Sequence, residues 1–404
     1  MSRTSPPHAV LVIANLPVSR DRRVSRQART LVAAGWQVTV VCPAVADGPD
    51  ALPGAPQIRV APYRLPVQGN GLIGYLVEFL WSFVAVTVWL LRIRRSGRID
   101  LVQFCNPPDI FFPLAFVARK AGIAAVFDHH DLSPEMYKVR TGRPRGAILS
   151  LLQFLEHMSI TTASAVVATN ESFRDRALVH SPARVVVVRN GPSLDEVPAA
   201  ATSANAPARP RVGYLGVLGP SDGVESFVQM AALVRRTRPD ADFVVAGDGP
   251  ELEALRRSAD SLGLGAAMRF TGWLTSDEVH HELRDWTVAV QPDPRNEMNE
   301  QLTMAKTVEY MAHGLPIVAV DMIETRRSAG ESARYVQDAR PHLMAEAVLD
   351  LLEQPELRLR MAQVGRDRVR SSLAWDHQGA RYTELFERLV NQRRRPVGAR
   401  AVKG

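Results

Sequence analysis

Lys306 and Glu309 stand three residues apart in NEMNEQLTMAKTVEYMAHGLPIVAVD, a stretch that reads as a loop entering a helix that ends at Gly314. That spacing puts both on one helical face. A cation for phosphates and a carboxylate for two vicinal ribose hydroxyls are the pair a nucleoside diphosphate requires. The competing reading is a surface ion pair worth under about 1 kcal/mol. A second loaded stretch is FDHHDLSPE, where Asp128 and Asp131 flank His129 and His130, and Glu135 follows. Two imidazoles among carboxylates could ligate a metal or place a proton carrier. No cysteine lies nearby and the histidines lack helical spacing, so no metal site is expected. A histidine at a strand end, its tautomer fixed by a carboxylate, suits the orienting of a substrate hydroxyl. The bland alternative has both histidines simply hydrogen-bonded in a loop.

Two glycine-rich stretches add candidate anion contacts. GYLGVLGPSDG contains Gly216 and Gly219, and VVAGDGPELEAL contains Asp248 and Gly249. Glycine lets backbone amides approach a phosphate closely, and the second stretch also leads into a helix N-terminus. An ordinary strand-to-helix turn explains that second stretch equally well. Asn15, Asp21, Arg22 and Arg23 follow the first apolar run, and Asn106, Pro107, Pro108 and Asp109 follow a later one.

Buried strands are expected at 10–14, 38–42, 101–104, 124–127, 165–169 and 185–188, each separated by helical patterns. The segment PSLDEVPAAATSANAPARPR carries no apolar periodicity and reads as a linker. A second alternation then gives strands at 211–215, 243–246, 268–270, 288–291 and 316–320. Two doubly wound α/β domains in series follow, with parallel sheets whose ligands sit beyond the carboxyl ends of the strands. All the polar groups above follow strands or open helices. The expected division is 1–197, a linker at 198–210, a second domain at 211–372, a terminal helix at 373–392 and a basic tail at 393–404.

Composition fits this division. The chain has 404 residues, 46% of them hydrophobic, enough for two cores. Its formal charge of +7 points to an anionic partner without choosing among nucleic acid, membrane and phosphorylated substrate. Arg393, Arg394 and Arg395 form its one cluster, either a solvated tail or a contact for anionic lipid. Cys42 and Cys105 end predicted strands and read as reduced structural thiols. The N-terminal apolar run reads as a first strand and not as a signal peptide, so a cytoplasmic protein is expected.

LIGYLVEFLWSFVAVTVWLL, residues 72–91, contains one charge, Glu78, and is followed by Arg92, Arg94, Arg95 and Arg98. Its length suffices to span a bilayer. A span would separate strands that belong to one sheet, so a helix on the sheet with apolar, Arg-flanked surface resting on a membrane is preferred. A plain core helix is the alternative.

GDGPELEAL, TGWL and EYMAHGLPIVAVD resemble the family 4 retaining glycosyltransferases of bacterial polysaccharide and glycolipid assembly, over nearly the whole chain. PVSRDRRV, NPPDIFF, FDHHDLSPE and GVLGPSDGV are similar to a subgroup that includes fucosaminyl transferases of surface polysaccharides. The resemblance implies a GT-B fold, two Rossmann-like doubly wound domains facing a central cleft. The first domain would hold the acceptor and the second the donor nucleotide, and the last helix would cross back to the first. Glu309 matches the second glutamate of the family's pair, which binds the ribose. The position of the first holds Gln301; either its amide makes the sugar contact or Glu300 takes the place. The usual diphosphate-clasping Arg and Lys are replaced by Val217 and Asp222. Lys306 is the first substitute, with Arg22 or Arg23 reaching across as the second.

The resemblance further implies front-side attack, in which the leaving diphosphate accepts the acceptor's proton. Lys306, the amides around Gly216 and Gly219, and the helix N-terminus at Leu302, Thr303 and Met304 would stabilise the leaving charge. His130, or its rival His129, would orient the acceptor hydroxyl. Acceptor or cleft contacts are assigned to Asn15, Arg22, Arg23, Asn106, Asp128, His129, Asp131 and Glu135, and donor contacts to Gly216, Gly219, Asp248, Gly249, Gln301, Leu302, Thr303, Met304 and Glu309. No cofactor and no metal are expected; a nucleotide diphosphate sugar, UDP- or GDP-linked, is the co-substrate. The expected partners are a lipid-linked or carbohydrate acceptor and the inner face of the cytoplasmic membrane, not nucleic acid. A nucleotide-sugar epimerase of the same fold and a non-catalytic partner protein are the alternatives.

Overall fold

The computed structural model describes residues 5–45, 50–65, 71–180, 184–197 and 209–394. They fall into two compact units, Met1–Arg189 with Gln378–Gly404, and Asn190–His377.

The first unit is built on β1 (His8–Val12), β2 (Gln37–Pro43), β3 (Arg59–Tyr63), β4 (Leu101–Cys105), β5 (Ala124–His129), β6 (Ala165–Ala168) and β7 (Val185–Val187). They pair in parallel in the order β3-β2-β1-β4-β5-β6-β7, so the strand order reverses between β1 and β4. Helices α1 (Arg22–Ala33), α2 (Gly71–Ser96), α3 (Phe112–Lys120), α4 (Ser133–Thr141), α5 (Ala147–Thr162) and α6 (Glu171–His180) connect them. Asp21 starts α1 by accepting the Val24 amide at 2.9 Å, so its carboxylate is a cap.

The second unit contains β8 (Arg211–Leu215), β9 (Asp242–Ala246), β10 (Met268–Gly272), β11 (Val288–Gln291), β12 (Ile317–Val320) and β13 (Ala333–Val336), in the order β10-β9-β8-β11-β12-β13. Its helices are α7 (Val224–Thr237), α8 (Leu252–Ser261), α9 (Ser276–Leu283), α10 (Ala305–Ala312), α11 (Ile323–Ala329), α12 (Pro341–Glu353) and α13 (Pro355–Arg368). Here the order reverses between β8 and β11. All the expected strands are present, and two more, β3 and β13, complete the sheets. Both are edge strands; β3 carries Pro62, which an edge tolerates, and neither has the continuous apolar run of a central strand.

The last helix, α14 (Trp375–Arg394), enters the first unit from Gln378 onward. There Tyr382 and Phe386 are fully buried, Phe386 edge-on to Trp36 at 5.8 Å, and the Tyr382 hydroxyl donates to Gln103 Oε1 at 2.7 Å. Residues 190–197 belong to the second unit and not to the first as expected. The reason is close packing: the Trp375 amide donates to Pro192 O at 2.8 Å, and a Cβ on Gly191 would lie 2.1 Å from Leu373 O. The expected linker lies outside the described residues except for Arg209 and Pro210, as does the tail beyond Arg394.

α2 is long and apolar enough to cross a membrane, but it lies on the first sheet. The Trp81 and Trp89 indoles donate to Arg64 O and Pro62 O at 2.8 and 3.1 Å, and Val86 and Ile93 enter the core. Both thiols are buried and free, and burial pushes Cys42 up to about 11.

Replacing Tyr382 by Phe leaves the buried Gln103 oxygen short of a donor. The expected cost is about 1–2 kcal/mol, read as a lower urea midpoint for the first unit; an unchanged midpoint would show that the bond contributes nothing.

Candidate active site

In the second unit the reversal point between β8 and β11 collects the charged groups. Lys306, on the first turn of α10, donates from Nζ to Asp293 Oδ1 and Oδ2 at 3.0 and 3.1 Å and to the Tyr214 hydroxyl at 3.2 Å. Only 10% of the lysine side chain and 3% of the aspartate are exposed. The ammonium also stands 4.6 Å above the Tyr214 ring, whose own hydroxyl donates to Val217 O at 2.9 Å. Asp293 and Tyr214, which hold the candidate Lys306, are not among the residues expected from the sequence. Asp293 follows β11, so a search of every loop after a strand would have included it.

The glycine loops are packed against each other. Gly216 donates its amide to Ala246 O at 3.0 Å, and Gly219 donates its amide to Asp222 Oδ2 at 3.1 Å. These two amides therefore hold the loop, which corrects the expectation that they face a phosphate. Gly247, at φ 148°, could not carry a Cβ, which would sit 1.8 Å from Gly216 O. The Gly-Asp-Gly turn is thus explained by this close approach: Asp248 O accepts the Leu218 amide at 3.0 Å, and the Asp248 carboxylate accepts the Gly249 amide at 2.7 Å. Asp222 lies half-buried beside Lys306; burial raises its carboxyl above the usual range while the ammonium pulls it down.

The N-terminus of α10 has no side-chain cap, which leaves the segment from Leu302 through Thr303 and Met304 as its mouth. Glu309 is half-buried one turn after Lys306. Gln301 donates its amide to Glu297 O at 2.9 Å. Glu300 is committed elsewhere: one oxygen accepts from Arg295 and the other from the Ile323 amide at the start of α11, at 2.8 Å. Both candidates for the first glutamate's contact are thus hydrogen-bonded within the chain.

In the first unit, Asp128 is fully buried and accepts from Arg23 Nη2 at 2.8 Å and Nε at 3.1 Å, from Gln27 at 2.7 Å and from Gln103 at 3.3 Å. Burial alone would raise this carboxyl; the Arg23 charge holds it below its usual value. Arg23 also donates to Val188 O at 2.9 Å. A guanidinium buried and bonded in this way is not free to take a diphosphate, which corrects the expectation for Arg23; Arg22 is exposed.

Asn106, Glu135 and His129 likewise have internal roles and are not open contacts. Asn106 accepts the His130 and Asp131 amides at 2.8 and 3.1 Å and donates to Asp131 O at 2.7 Å, so it clamps the turn that displays His130. Glu135 and Glu156 share Arg176, at 2.9 and 2.6 Å. His129 is enclosed between Phe127 and Phe173, with Nε2 3.1 Å from Glu156. Burial would raise the Glu156 carboxyl, but His129 and Arg176 bring it down to about 2. His130 stays partly open, its Nδ1 3.9 Å from Asp128. Half-buried Asn15 and Asp131 and exposed Arg22 complete the accessible polar groups among those expected here. Among the described residues no three metal-ligating side chains gather.

Residues 21–191 match the model of the glycosyl transferase 4-like domain, and residues 209–354 that of glycosyl transferases group 1. The alpha-D-kanosaminyltransferase of Streptomyces kanamyceticus is 28% identical over 329 residues, 76% of this chain and 83% of its own. A GDP-mannose-dependent alpha-(1-6)-phosphatidylinositol monomannoside mannosyltransferase of Mycolicibacterium smegmatis is 27% identical over 303 residues, 73% of this chain and 78% of its own. The solved structure of sucrose-phosphate synthase from Thermosynechococcus elongatus shares the fold, with a TM-score of 0.77 at 17% identity over 96% of this chain and 100% of its own.

One carboxyl beneath the His130 turn titrates unusually. Asp109, bonded to Asn106 at 3.1 Å and Ser133 at 2.7 Å, is pushed up to about 6 by burial, against the pull of His129. The native state then keeps a proton that the unfolded chain releases near pH 3.8, so stability falls as pH rises from there to about 6. Asp109→Asn should melt at a higher temperature than wild type at neutral pH and converge with it below pH 4. An equal deficit at every pH would contradict this.

Proposed function

The chain belongs to the family 4 glycosyltransferases and has their GT-B fold, and from that premise we propose that it transfers a sugar, with retained anomeric configuration, from a UDP- or GDP-sugar to a lipid-linked or glycan acceptor. The reaction serves polysaccharide or glycolipid assembly at the inner face of the cytoplasmic membrane, with neither cofactor nor obligatory metal. The observation that carries this reading is Lys306, held by Asp293 and Tyr214 at the β8/β11 reversal beside the uncapped start of α10. The relative named for GDP-mannose and a phosphatidylinositol mannoside supports the donor class and the lipid-linked acceptor.

In this reading the second unit holds the donor. Glu309 accepts the two ribose hydroxyls, and Gln301 contacts the sugar. The bond from the anomeric carbon to the β-phosphate oxygen breaks while the acceptor oxygen bonds to the same face of that carbon. The acceptor's proton passes to the departing phosphate oxygen. Lys306 and the first amides of α10 meet the charge that grows there, which costs little reorganisation because the lysine is already oriented. His130 orients the acceptor hydroxyl, with Asn106 fixing the turn that carries it.

The test is turnover of UDP- and GDP-sugars on a lipid-linked acceptor, with the anomer of the product assigned by NMR. Lys306→Ala is expected to lower kcat about 10²- to 10³-fold. Glu309→Gln should raise the donor KM about 10- to 100-fold. A chelator should leave the rate unchanged. An isomerised sugar formed from donor alone would identify an epimerase instead, and pathway output in cells that survives both substitutions would identify a non-catalytic partner.

A further inference from the structure

Between Gly74 and Leu91, α2 carries one charged residue, Glu78. Its inner side enters the core through Val86 and Ile93, while Val77, Leu80, Val84, Val88 and Leu91 recur every three or four residues on the outside, each 39–68% exposed. A helix on the surface of a soluble domain normally places charges there. Beside this row, α3 exposes Phe116 and Val117. Both helices end in cations where β4 and β5 begin, Arg94 and Arg95 on α2 and Arg119 and Lys120 on α3. Two cations here also sit on aromatic rings: Lys120 Nζ lies 5.5 Å over Phe116, and the Arg92 guanidinium 5.5 Å over Trp89.

At the same end a basin of about 310 Å³ is lined by Arg94, Arg98 and Arg393, the last contributed by α14. The one carboxylate in its wall, Asp100, is buried and paired with Arg98 at 2.8 Å. Burial and the Arg119 and Arg184 charges together pull the Arg393 guanidinium below its usual value, as expected where positive charge is crowded. The only carboxylate of α2, Glu78, lies toward the other end of the helix.

We propose that this face docks on an anionic phospholipid leaflet, with α2 and α3 lying in its interface and the basin of Arg94, Arg98 and Arg393 seating one headgroup phosphate. This rests on the membrane-surface reading given above and names the surface and the lipid class. An apolar row that ends in cations matches the two chemistries of a leaflet, acyl chain and phosphate. A second copy of the same face would set arginines against arginines. Crossing the bilayer is ruled out because α2 joins β3 to β4 within one sheet and is bonded to the strand before it.

Flotation of the full chain with vesicles of phosphatidylcholine, alone or mixed with phosphatidylglycerol, tests this. Wild type should float with the mixed vesicles far more strongly than with the neutral ones. Replacing Arg94, Arg98 and Arg393 by Ala should weaken binding to the mixed vesicles about a hundredfold, at about fivefold per arginine. Leu80→Glu with Val84→Glu should weaken binding to both kinds. All of these positions except Arg393 and Arg98 bear only on the surface, and an unchanged thermal transition verifies folding of each variant. Binding that ignores both phosphatidylglycerol and the three arginines would overturn the basin and leave the membrane reading standing. No binding to either vesicle would overturn both, as would a dimer in solution that Leu80→Glu dissociates.

Discussion

An ammonium group with nine-tenths of its side chain out of water has to be paired, and that requirement organises the head of the second sheet. Lys306 has three N–H donors, and Asp293 and Tyr214 take all of them. Removing one partner of such a pair typically costs about 3–5 kcal/mol. Because Tyr214 belongs to β8 and Asp293 follows β11, the pair joins the two strands between which the sheet order reverses. In the proposed transfer, the donor's diphosphate would meet a cation already oriented and would take over bonds that Asp293 or Tyr214 now makes.

The first sheet uses the same physical device for another purpose. Arg23 and Asp128 are paired at its own reversal, yet both are buried and bonded by Gln27, Gln103 and Val188 as well, with Tyr382 of α14 attached through Gln103. That network ties α1, β4, β5 and the returning helix together. Nothing of it is available to a ligand. What faces outward is the turn above, where Asn106 fixes the backbone of His130 and Asp131. What separates the two pairs is their setting: Lys306 stands beside the uncapped start of α10, whereas Arg23 and Asp128 are also bonded to Gln27, Gln103 and the Val188 carbonyl.

This difference explains what could be read from the sequence. Central strands announced themselves as apolar runs, and Lys306 and Glu309 as an i, i+3 pair, because both signals are local. Asp293 stands 13 residues from Lys306 in a loop without periodicity, and Tyr214 stands 92 away. Arg23 and Asp128 are 105 residues apart, so a basic residue after the first strand looked like a ligand contact until its buried partner was seen. Gln301 and Glu300 are neighbours in the chain, yet one bonds the Glu297 carbonyl and the other the start of α11, which their spacing did not show. Composition gave α2 its apolar character but not which of its sides stays uncovered.

Lys306 is proposed to receive the diphosphate of the donor. Calorimetric titration of UDP, GDP and their parent nucleosides into wild type and into Lys306→Met/Asp293→Asn tests it, the double variant removing both charges so that no unpaired carboxylate repels the ligand. The diphosphates should bind the variant about tenfold more weakly or worse, while the nucleosides bind both proteins alike. Diphosphate affinity unchanged in the variant would contradict the account.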